Sequence, residues 1–458
     1  MEPRSLKYVA AACHGQQRSG SPETLVSRIC TDSRQAQAGD LFFALRGERF
    51  DGHDFLDEVA RKKVAAVVVE RAKAPAAELG CAVLTVEDTR RALGQLGSRY
   101  RAEFDLPMVA VCGSNGKTTT KELLAAILRE KFGTLWSEAS FNNDIGVPLT
   151  LLRLQRDHGA AVLEAGTNHP GELAPLLRMI QPQFGILTSL GREHMEFFGD
   201  MAGVVEEEGC LAQVLPARGK LVLHGDSEWT GRIIQRTRAH VVQVGFGAQN
   251  DWRATDVAAD ETGVTFGVIS PRPEFNGEYR VNLLGRHQAI NALLAMAMGA
   301  ELGLDAEQAR RGLAACKAGK LRLQIWEANG VRVLDDSYNA NADSMLAALQ
   351  TLHDLPACGR RIAVLGDMAE LGEHSAAAHE EIGRRVAELG LSQLIAVGQW
   401  AGQMANAARA GGVKAVSEFA EVAAAAAAIK KLVRPGDVVL LKASRAVGLE
   451  RVGEGLRA

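Results

Sequence analysis

Three things are missing from this 458-residue chain, and each absence narrows what it can be. Its seven cysteines lie far apart with no C-x-x-C pair, which points away from a disulfide frame or a zinc site and towards reduced thiols in a cytosol. Neither charge dominates: 52 Lys+Arg stand against 55 Asp+Glu, so nucleic acid and membrane surfaces are not the expected partners. Long apolar runs are lacking too. No stretch approaches the ~18 residues of a membrane span, and Val422 to Ile429 is mostly alanine before Lys430-Lys431. The apolar part of Tyr8 to Cys13 is about five residues, short of the ~7–15 of a signal core. We therefore expect a soluble, cytoplasmic chain without membrane insertion, long enough for about two to four domains.

What is present centres on Val109-Ala110-Val111-Cys112-Gly113-Ser114-Asn115-Gly116-Lys117-Thr118-Thr119-Thr120. An apolar strand opens into glycines, a lysine and threonines, and then into Lys121 to Leu128, which has helical periodicity. This is the pattern of a phosphate loop. Glycines let backbone N–H groups turn inward around an anion, the helix start adds partial positive charge, and Lys117 reaches the β- and γ-phosphates. The hydroxyl of Thr118 is placed to ligate Mg²⁺. The common spacing G-x-x-x-x-G-K-[ST] wants glycine where Val111 stands, so this loop is two residues shorter.

Before the loop, a small α/β unit is expected from the runs Asp40 to Leu45, Val64 to Val69 and Cys81 to Val86, with a helix from about Asp54 to Lys62. Its polar links, Thr31 to Arg34 and Gly47 to His53, are either ligand loops or solvated turns. A helix from about Asp88 to Phe104 leads to the central unit. There Ala160 to Leu163 ends in Glu164, and Phe184 to Ser189 leads into Leu190-Gly191-Arg192-Glu193-His194. Ligands sit beyond the carboxyl ends of parallel strands, so both loops are expected on the edge that carries the phosphate loop. Glu164 at a buried strand end needs a partner or a metal, and with His194 it would make a second Mg²⁺ ligand set. Asp251 to Arg280 is expected to be a β-rich insert without assigned function. His287 and Asn291, one helical turn apart, can face a single planar ligand or a polar surface. After Gly319 strand–helix alternation resumes, predicting a doubly wound unit whose strand ends carry Asp335 to Asn341, Gly366 to Gly372 and Lys442 to Arg445.

The order of G-S-N-G-K-T-T, L-E-A-G-T-N, T-S-L-G-R-E-H, G-R-H-Q-A-I-N, D-D-S-Y-N-A-N, G-D-M-A-E-L-G and K-A-S-R resembles the Mur ligases, from Thr31 to Arg445. The resemblance implies an α/β protein of three domains: a small N-terminal α/β domain for the UDP substrate (1–87), a central P-loop ATPase with a mostly parallel sheet (88–318), and a C-terminal Rossmann-like domain for the incoming dipeptide (319–458). It implies an ATP- and Mg²⁺-dependent ligase of peptidoglycan synthesis, a monomer, with UDP-N-acetylmuramoyl-tripeptide and D-alanyl-D-alanine as substrates and an acyl phosphate between them.

Carried over by position, Gly113, Ser114, Asn115, Gly116, Lys117, Thr118 and Thr119 hold ATP phosphates, with Thr118 on the first metal and Glu164 and His194 on the second. His287 and Asn291 match the adenine contact, Asp336 the ribose contact, and Arg322 an arginine that reaches the γ-phosphate. Ser33, Arg34 and Asp51 match the uridine loops, and Asn142 and Asn143 the muramoyl-peptide loop. Asn339, Asn341, Ser444 and Arg445 are expected to face the dipeptide. Many family members carry a carbamylated lysine where this chain has Glu208. We expect either that Glu208 supplies that negative charge directly or that Glu206 to Glu208 is an exposed acidic helix face.

Overall fold

The structure, a computed structural model, describes residues 1–457. The chain folds as two compact units, one of Met1–Ala110, Phe132–Thr167 and Glu172–Phe184, the other of Val111–Lys131, Asn168–Gly171 and Gly185–Ala458.

The first unit begins with a five-stranded sheet made of β1 (Gln16–Ser19), β2 (Ile29–Cys30), β3 (Leu41–Phe43), β4 (Ala66–Glu70) and β5 (Ala82–Val86). Their order is β1-β5-β4-β3-β2, with β1 antiparallel and the rest parallel. Phe42, Val67, Val69 and Val83 pack with Leu56 and Val59 in its core. The helix expected from about Asp88 runs over Thr89–Arg101, and Asp88 caps it by accepting the Arg91 N–H at 2.8 Å. It packs closely on the short helix Gly146–Leu151: a Cβ on Gly97 would lie 2.9 Å from Pro148 Cα.

The central strands follow. In the first unit β6 (Met108–Cys112), β7 (Thr134–Trp136) and β8 (Ala160–Glu164) run in the order β6-β8-β7, and in the second β9 (Phe184–Leu187), β10 (Lys220–His224), β11 (His240–Gly245), β12 (Trp252–Ala259), β13 (Val264–Ile269) and β14 (Gly277–Val281) run as a sheet in the order β14-β13-β12-β11-β10-β9. Within the first unit β7 and β8 pair in parallel. Within the second, β10, β11 and β12 are parallel, whereas β12, β13 and β14 are antiparallel. The β-rich insert expected over 251–280 is thus the antiparallel margin of this sheet. Its alternating burial, with Trp252, Ala254, Val264, Phe266, Val268, Tyr279 and Val281 inside, is that of strands packed on one face. Helix α1 (Lys117–Leu128) leaves the end of β6, and Gln288–Glu301 (α3, with α2 at Met201–Glu208 preceding it in the chain) packs beside it. Every residue of α3 except Glu301 is buried, as expected of a helix that is apolar on all sides.

The C-terminal sheet contains β15 (Gln324–Ala328), β16 (Val331–Asp335), β17 (Arg361–Gly366), β18 (Gln393–Val397), β19 (Ala415–Phe419) and β20 (Val438–Lys442), in the order β15-β16-β20-β17-β18-β19. Only β15 is antiparallel to its neighbour. Successive strand residues go to opposite faces: Leu334, Ala363, Leu365, Leu394 and Leu440 enter one apolar cluster, Val333, Ile362, Val364, Ile395 and Val439 the other. Both faces are therefore covered, which explains the uninterrupted apolar runs of these strands. The adjacent strands β16, β20 and β17 end together, so the three polar loops after them share one edge.

Candidate active site

The phosphate-loop glycines are fixed by close approach. Gly113 has φ +116°, and a Cβ on it would fall 2.4 Å from Thr188 Oγ1; Gly116 has φ +87°, and a Cβ would fall 2.6 Å from Asn291 Oδ1. The segment after β9 holds the loop from one side. Ser114 N–H donates to Ser189 O at 2.6 Å, and Asn115 N–H to Ser189 Oγ at 3.2 Å. Ser189 Oγ donates in turn to Asn115 O at 3.1 Å, and Thr188 Oγ1 to Cys112 O at 3.0 Å. Ser189 and Thr188 carried no role in the sequence reading. Their only signal there was membership of T-S-L-G-R-E-H.

The charges around the loop are unusually close and buried. Lys117 Nζ donates to Gly113 O and, at 3.3 Å, to Ser114 O, and lies 3.5 Å from Glu193 Oε2. Glu208 Oε2 accepts the Gly113 N–H at 2.7 Å, while its Oε1 is buried without a hydrogen-bond partner. Burial pushes the Glu208 carboxyl up to about 8 against the pull of Lys117. The exposed-face expectation therefore holds for one residue of the acidic run: Glu206 is exposed and paired with Arg236, Glu207 is buried and accepts the Gly171 N–H at 2.8 Å, and Glu208 is at the phosphate loop. Residues three and four apart on a helix share a face, so adjacent glutamates at the end of α2 had to diverge.

A narrow cleft beside α1 is lined by Thr118, Thr119, Gln288, Gly319 and Arg322. Arg322 also stacks over the Tyr338 ring at 4.2 Å, between Leu321 and Leu323, both left-handed at φ 59° and 49°. Asn291 is buried, with its amide donating to Gln288 Oε1 at 2.8 Å and its oxygen 3.4 Å from Thr120 Oγ1. His287 sits at the start of α3, and burial pushes its imidazole down to about 4. The carboxylate expected to meet a ribose, Asp336, is bonded to Lys442 Nζ and accepts the Leu323 N–H at 3.1 Å. Gln288, unassigned in the sequence reading, links the cleft to Asn291.

The loops of the C-terminal sheet are tied to one another and to the phosphate loop. Ser444 is buried; its hydroxyl accepts the Ala369 N–H at 2.8 Å and donates to Ala340 O at 3.1 Å. Asn339 O accepts from Lys442 Nζ at 3.0 Å, whereas Arg445 is exposed and paired with Glu450 at 2.9 Å. Asn341 caps helix α4 (Ala342–Asp354) by accepting the Ser344 N–H at 2.9 Å, and its Nδ2 donates to Asn115 Oδ1 at 3.0 Å. His194, with φ 49°, bonds through Nδ1 to Glu370.

In the first unit, Glu164 closes β8 fully buried. Asn142 Nδ2 donates to its Oε1 at 2.9 Å, and its Oε2 has no hydrogen-bond partner. The Asn143 side chain accepts the Ile145 and Gly146 N–H groups at 3.2 and 2.9 Å, which starts the following helix. Ser33 and Arg34 lie in a short 3₁₀ turn capped by Asp32, and the Arg34 guanidinium holds the Asp32 carboxyl down at about 2. Asp51 is half-buried; burial works against its charge, but bonds from Lys73 and His53 keep it well below the usual carboxylate range.

Among the described residues no three His, Cys, Asp or Glu side chains cluster as a self-sufficient metal site. The unpartnered buried oxygens of Glu164 and Glu208 are nevertheless the donor type a hard divalent cation takes, so the residues fit Mg²⁺.

Comparison with known proteins places this geometry. Three family models match in sequence order: "Mur ligase family, catalytic domain" over 25–101, "Mur ligase middle domain" over 111–299, and "Mur ligase, glutamate ligase domain" over 321–445. The chain is 36% identical over 437 residues to the UDP-N-acetylmuramoyl-tripeptide–D-alanyl-D-alanine ligase of Escherichia coli, covering 94% of this chain and 93% of that one. It is 33% identical over 460 residues to the enzyme of that name from Bacillus subtilis, covering 100% and 99%. A crystal structure of MurF from Acinetobacter baumannii superposes with a TM-score of 0.91 at 33% identity, over 100% of this chain and 99% of that one. The MurF ligase of Thermotoga maritima in complex with ADP gives a TM-score of 0.81 at 28% identity, over 94% and 97%. With a phosphate loop, sheet order and strand-end loops of this kind and full-length likeness to these ligases, the chain belongs to the Mur ligase family.

Proposed function

We propose that this ligase joins D-alanyl-D-alanine to UDP-N-acetylmuramoyl-tripeptide, using ATP and giving the UDP-muramoyl-pentapeptide, ADP and phosphate. The observation that carries the proposal is the phosphate loop bonded through Asn115 to Asn341, a residue of the loops that end the C-terminal sheet. A phosphoryl donor and an incoming amine held on those two surfaces meet at one place. A carboxylate oxygen of the tripeptide attacks the γ-phosphorus, ADP leaves, and an acyl phosphate forms. The dipeptide amine then attacks the acyl carbon, gives up a proton, and the tetrahedral intermediate expels phosphate as the amide forms.

The residues divide this work. Loop N–H groups from Gly113 to Thr119, with Lys117, bind and orient the β- and γ-phosphates. Arg322, which lines one cleft with Thr118 and Thr119, is assigned to the γ-phosphate. Thr118 would hold one Mg²⁺, and Glu164 and His194 a second, with Glu208 adding its carboxyl, which a neighbouring cation would favour in the ionised form that burial alone opposes; bound there, the ions would neutralise charge on the transferred phosphoryl group. His287, Asn291 and Asp336 are assigned to the nucleoside, Ser33, Arg34 and Asp51 to the uridine diphosphate, Asn142 and Asn143 to the muramoyl peptide, and Asn339, Asn341, Ser444 and Arg445 to the dipeptide. We assign the UDP substrate to 1–87, ATP to 88–318 and the dipeptide to 319–458, in a cytoplasmic monomer. No described helix is long and apolar enough to cross a membrane.

Phosphate release measured with each substrate omitted in turn tests the proposal. Release is expected to require both UDP-N-acetylmuramoyl-tripeptide and D-alanyl-D-alanine, and release that needs neither would overturn it. Glu208 also predicts indifference to dissolved carbon dioxide: activity lost on degassing and restored by bicarbonate would remove its carboxylate role.

A further inference from the structure

The loop Gly366 to Gly372 has no role in the scheme above, yet one of its residues touches a proposed metal ligand. Glu370 Oε2 bonds to His194 Nδ1, and the Glu370 carbonyl accepts the Glu196 N–H at 3.0 Å. Both partners are non-glycine residues in the left-handed region, His194 at φ 49° and Glu370 at φ 60°. Two such conformations facing each other persist only where the surroundings over-determine them.

The surroundings do so. Met195 and Phe198 enter the same apolar cluster as Met368 and Leu371. His374 Nε2 bonds to Gly199 O at 3.1 Å, and a Cβ on Gly372, itself at φ 53°, would touch Glu196 Cα at 3.2 Å. The Glu370 loop is rigid behind that contact, because Met368 N–H donates to buried His379 at 3.0 Å and Ala369 N–H to Ser444 at 2.8 Å. On the other flank Arg192 grips Asp343 at 2.8 Å and Glu381 at 2.6 Å.

We propose that Glu370 is a positioning residue for His194: by accepting the hydrogen bond that Nδ1–H donates it fixes the ring and leaves Nε2 as the ligating nitrogen for a divalent cation. A carboxylate behind a ligating histidine sets its tautomer and orientation and raises its basicity. The inference rests on His194 being a metal ligand. It adds that the ligand is aimed by a residue of the C-terminal domain, so the cation site is complete only when that domain's loop is seated on Met195 to Gly199.

The test uses full-length protein with a non-hydrolysable ATP analogue and UDP-N-acetylmuramoyl-tripeptide, titrated with Mn²⁺ and followed by electron paramagnetic resonance. Long-range ¹H–¹⁵N spectra of histidine in the metal-free protein report the His194 tautomer. Glu370→Ala is expected to weaken the more weakly held Mn²⁺ by about 10–100-fold and to abolish the single Nδ1–H tautomer, with unchanged thermal unfolding. Glu370→Gln, which still offers an acceptor, is expected to restore the tautomer and most of the affinity. His194→Ala separates the two layers of the argument. If it leaves both Mn²⁺ affinities intact, His194 is no ligand and both readings fall. If it weakens one site while Glu370→Ala changes neither affinity nor tautomer, the metal assignment stands and the positioning role is overturned.

Discussion

Lys117 is bound to two backbone carbonyls and faces Glu193 from 3.5 Å, so its ammonium is held in place before any phosphate reaches it. Removing one such preorganised charge typically costs ~10²–10³ in rate, roughly 3–4 kcal/mol. Lys117→Ala is expected to show that loss in steady-state turnover with an unaltered unfolding curve, and near-normal turnover would refute the site. His287 makes a prediction about pH. Its folded value of about 4 lies below the ordinary 6.5, so between those values the unfolded chain takes up a proton that the folded chain refuses. Stability is therefore fully present above about pH 6.5 and declines as the pH falls through about 4. Thermal unfolding at pH 7 and pH 5 should show a smaller drop for His287→Gln than for the parent. Lys117 was legible in the sequence because its chemistry is local, set by neighbouring glycines and a helix start. Ser189 and Gln288 were not: Ser189 acts through Asn115, 74 positions earlier, and Gln288 matters because the fold sets it in a cleft with Thr118 and Thr119, which lie far from it in the sequence.

Elements covered on both faces were the easiest to foresee. The apolar runs of β16, β17, β18 and β20 announce themselves because neither face meets water. The margins β15 and β19 were missed: Gln324 to Ala328 and Ala415 to Phe419 are only half-buried, and their mixed polarity matches a turn as well as a strand. The segment 251–280 read as an insert for a related reason, since nothing local says that an antiparallel hairpin extends a parallel sheet. Packing between elements gives two measurable consequences. Gly97→Ala forces a methyl group against the Pro148 backbone and is expected to cost about 1–3 kcal/mol in chemical unfolding. Ser444→Ala leaves Ala369 N–H and Ala340 O without their shared hydroxyl, and about 1–3 kcal/mol should be lost. A cost near zero for Ser444→Ala would mean that the hydroxyl does not clip the three loops together.

For the molecule as a whole, the segment after β9 meets the C-terminal sheet through an apolar contact at Met195 and Phe198 and a polar one at Arg192. Its fork serves Asp343 and Glu381 together, with the Arg192 N–H adding a third bond to Asp343 at 2.7 Å. Bidentate pairs in a network contribute more than isolated surface pairs. Arg192→Ala is expected to speed hydrogen exchange in 189–194 and the first turn of α4 while β17, β18 and β20 stay protected. Uniform exchange across the C-terminal sheet would show that the arginine supports folding and not this junction. The Asn115–Asn341 contact carries a different consequence, for how the protein ages. Asn115 precedes Gly116, and an asparagine followed by glycine is prone to cyclise to a succinimide, because no side chain shields the attacking backbone nitrogen. Here the Asn115 N–H and carbonyl are pinned by Ser189 and its amide oxygen by Asn341, so the seated loop resists the required rotation. Stored protein should deamidate at this position only as fast as the C-terminal loops let go, which makes the mass gain of a single tryptic peptide a slow clock of their opening.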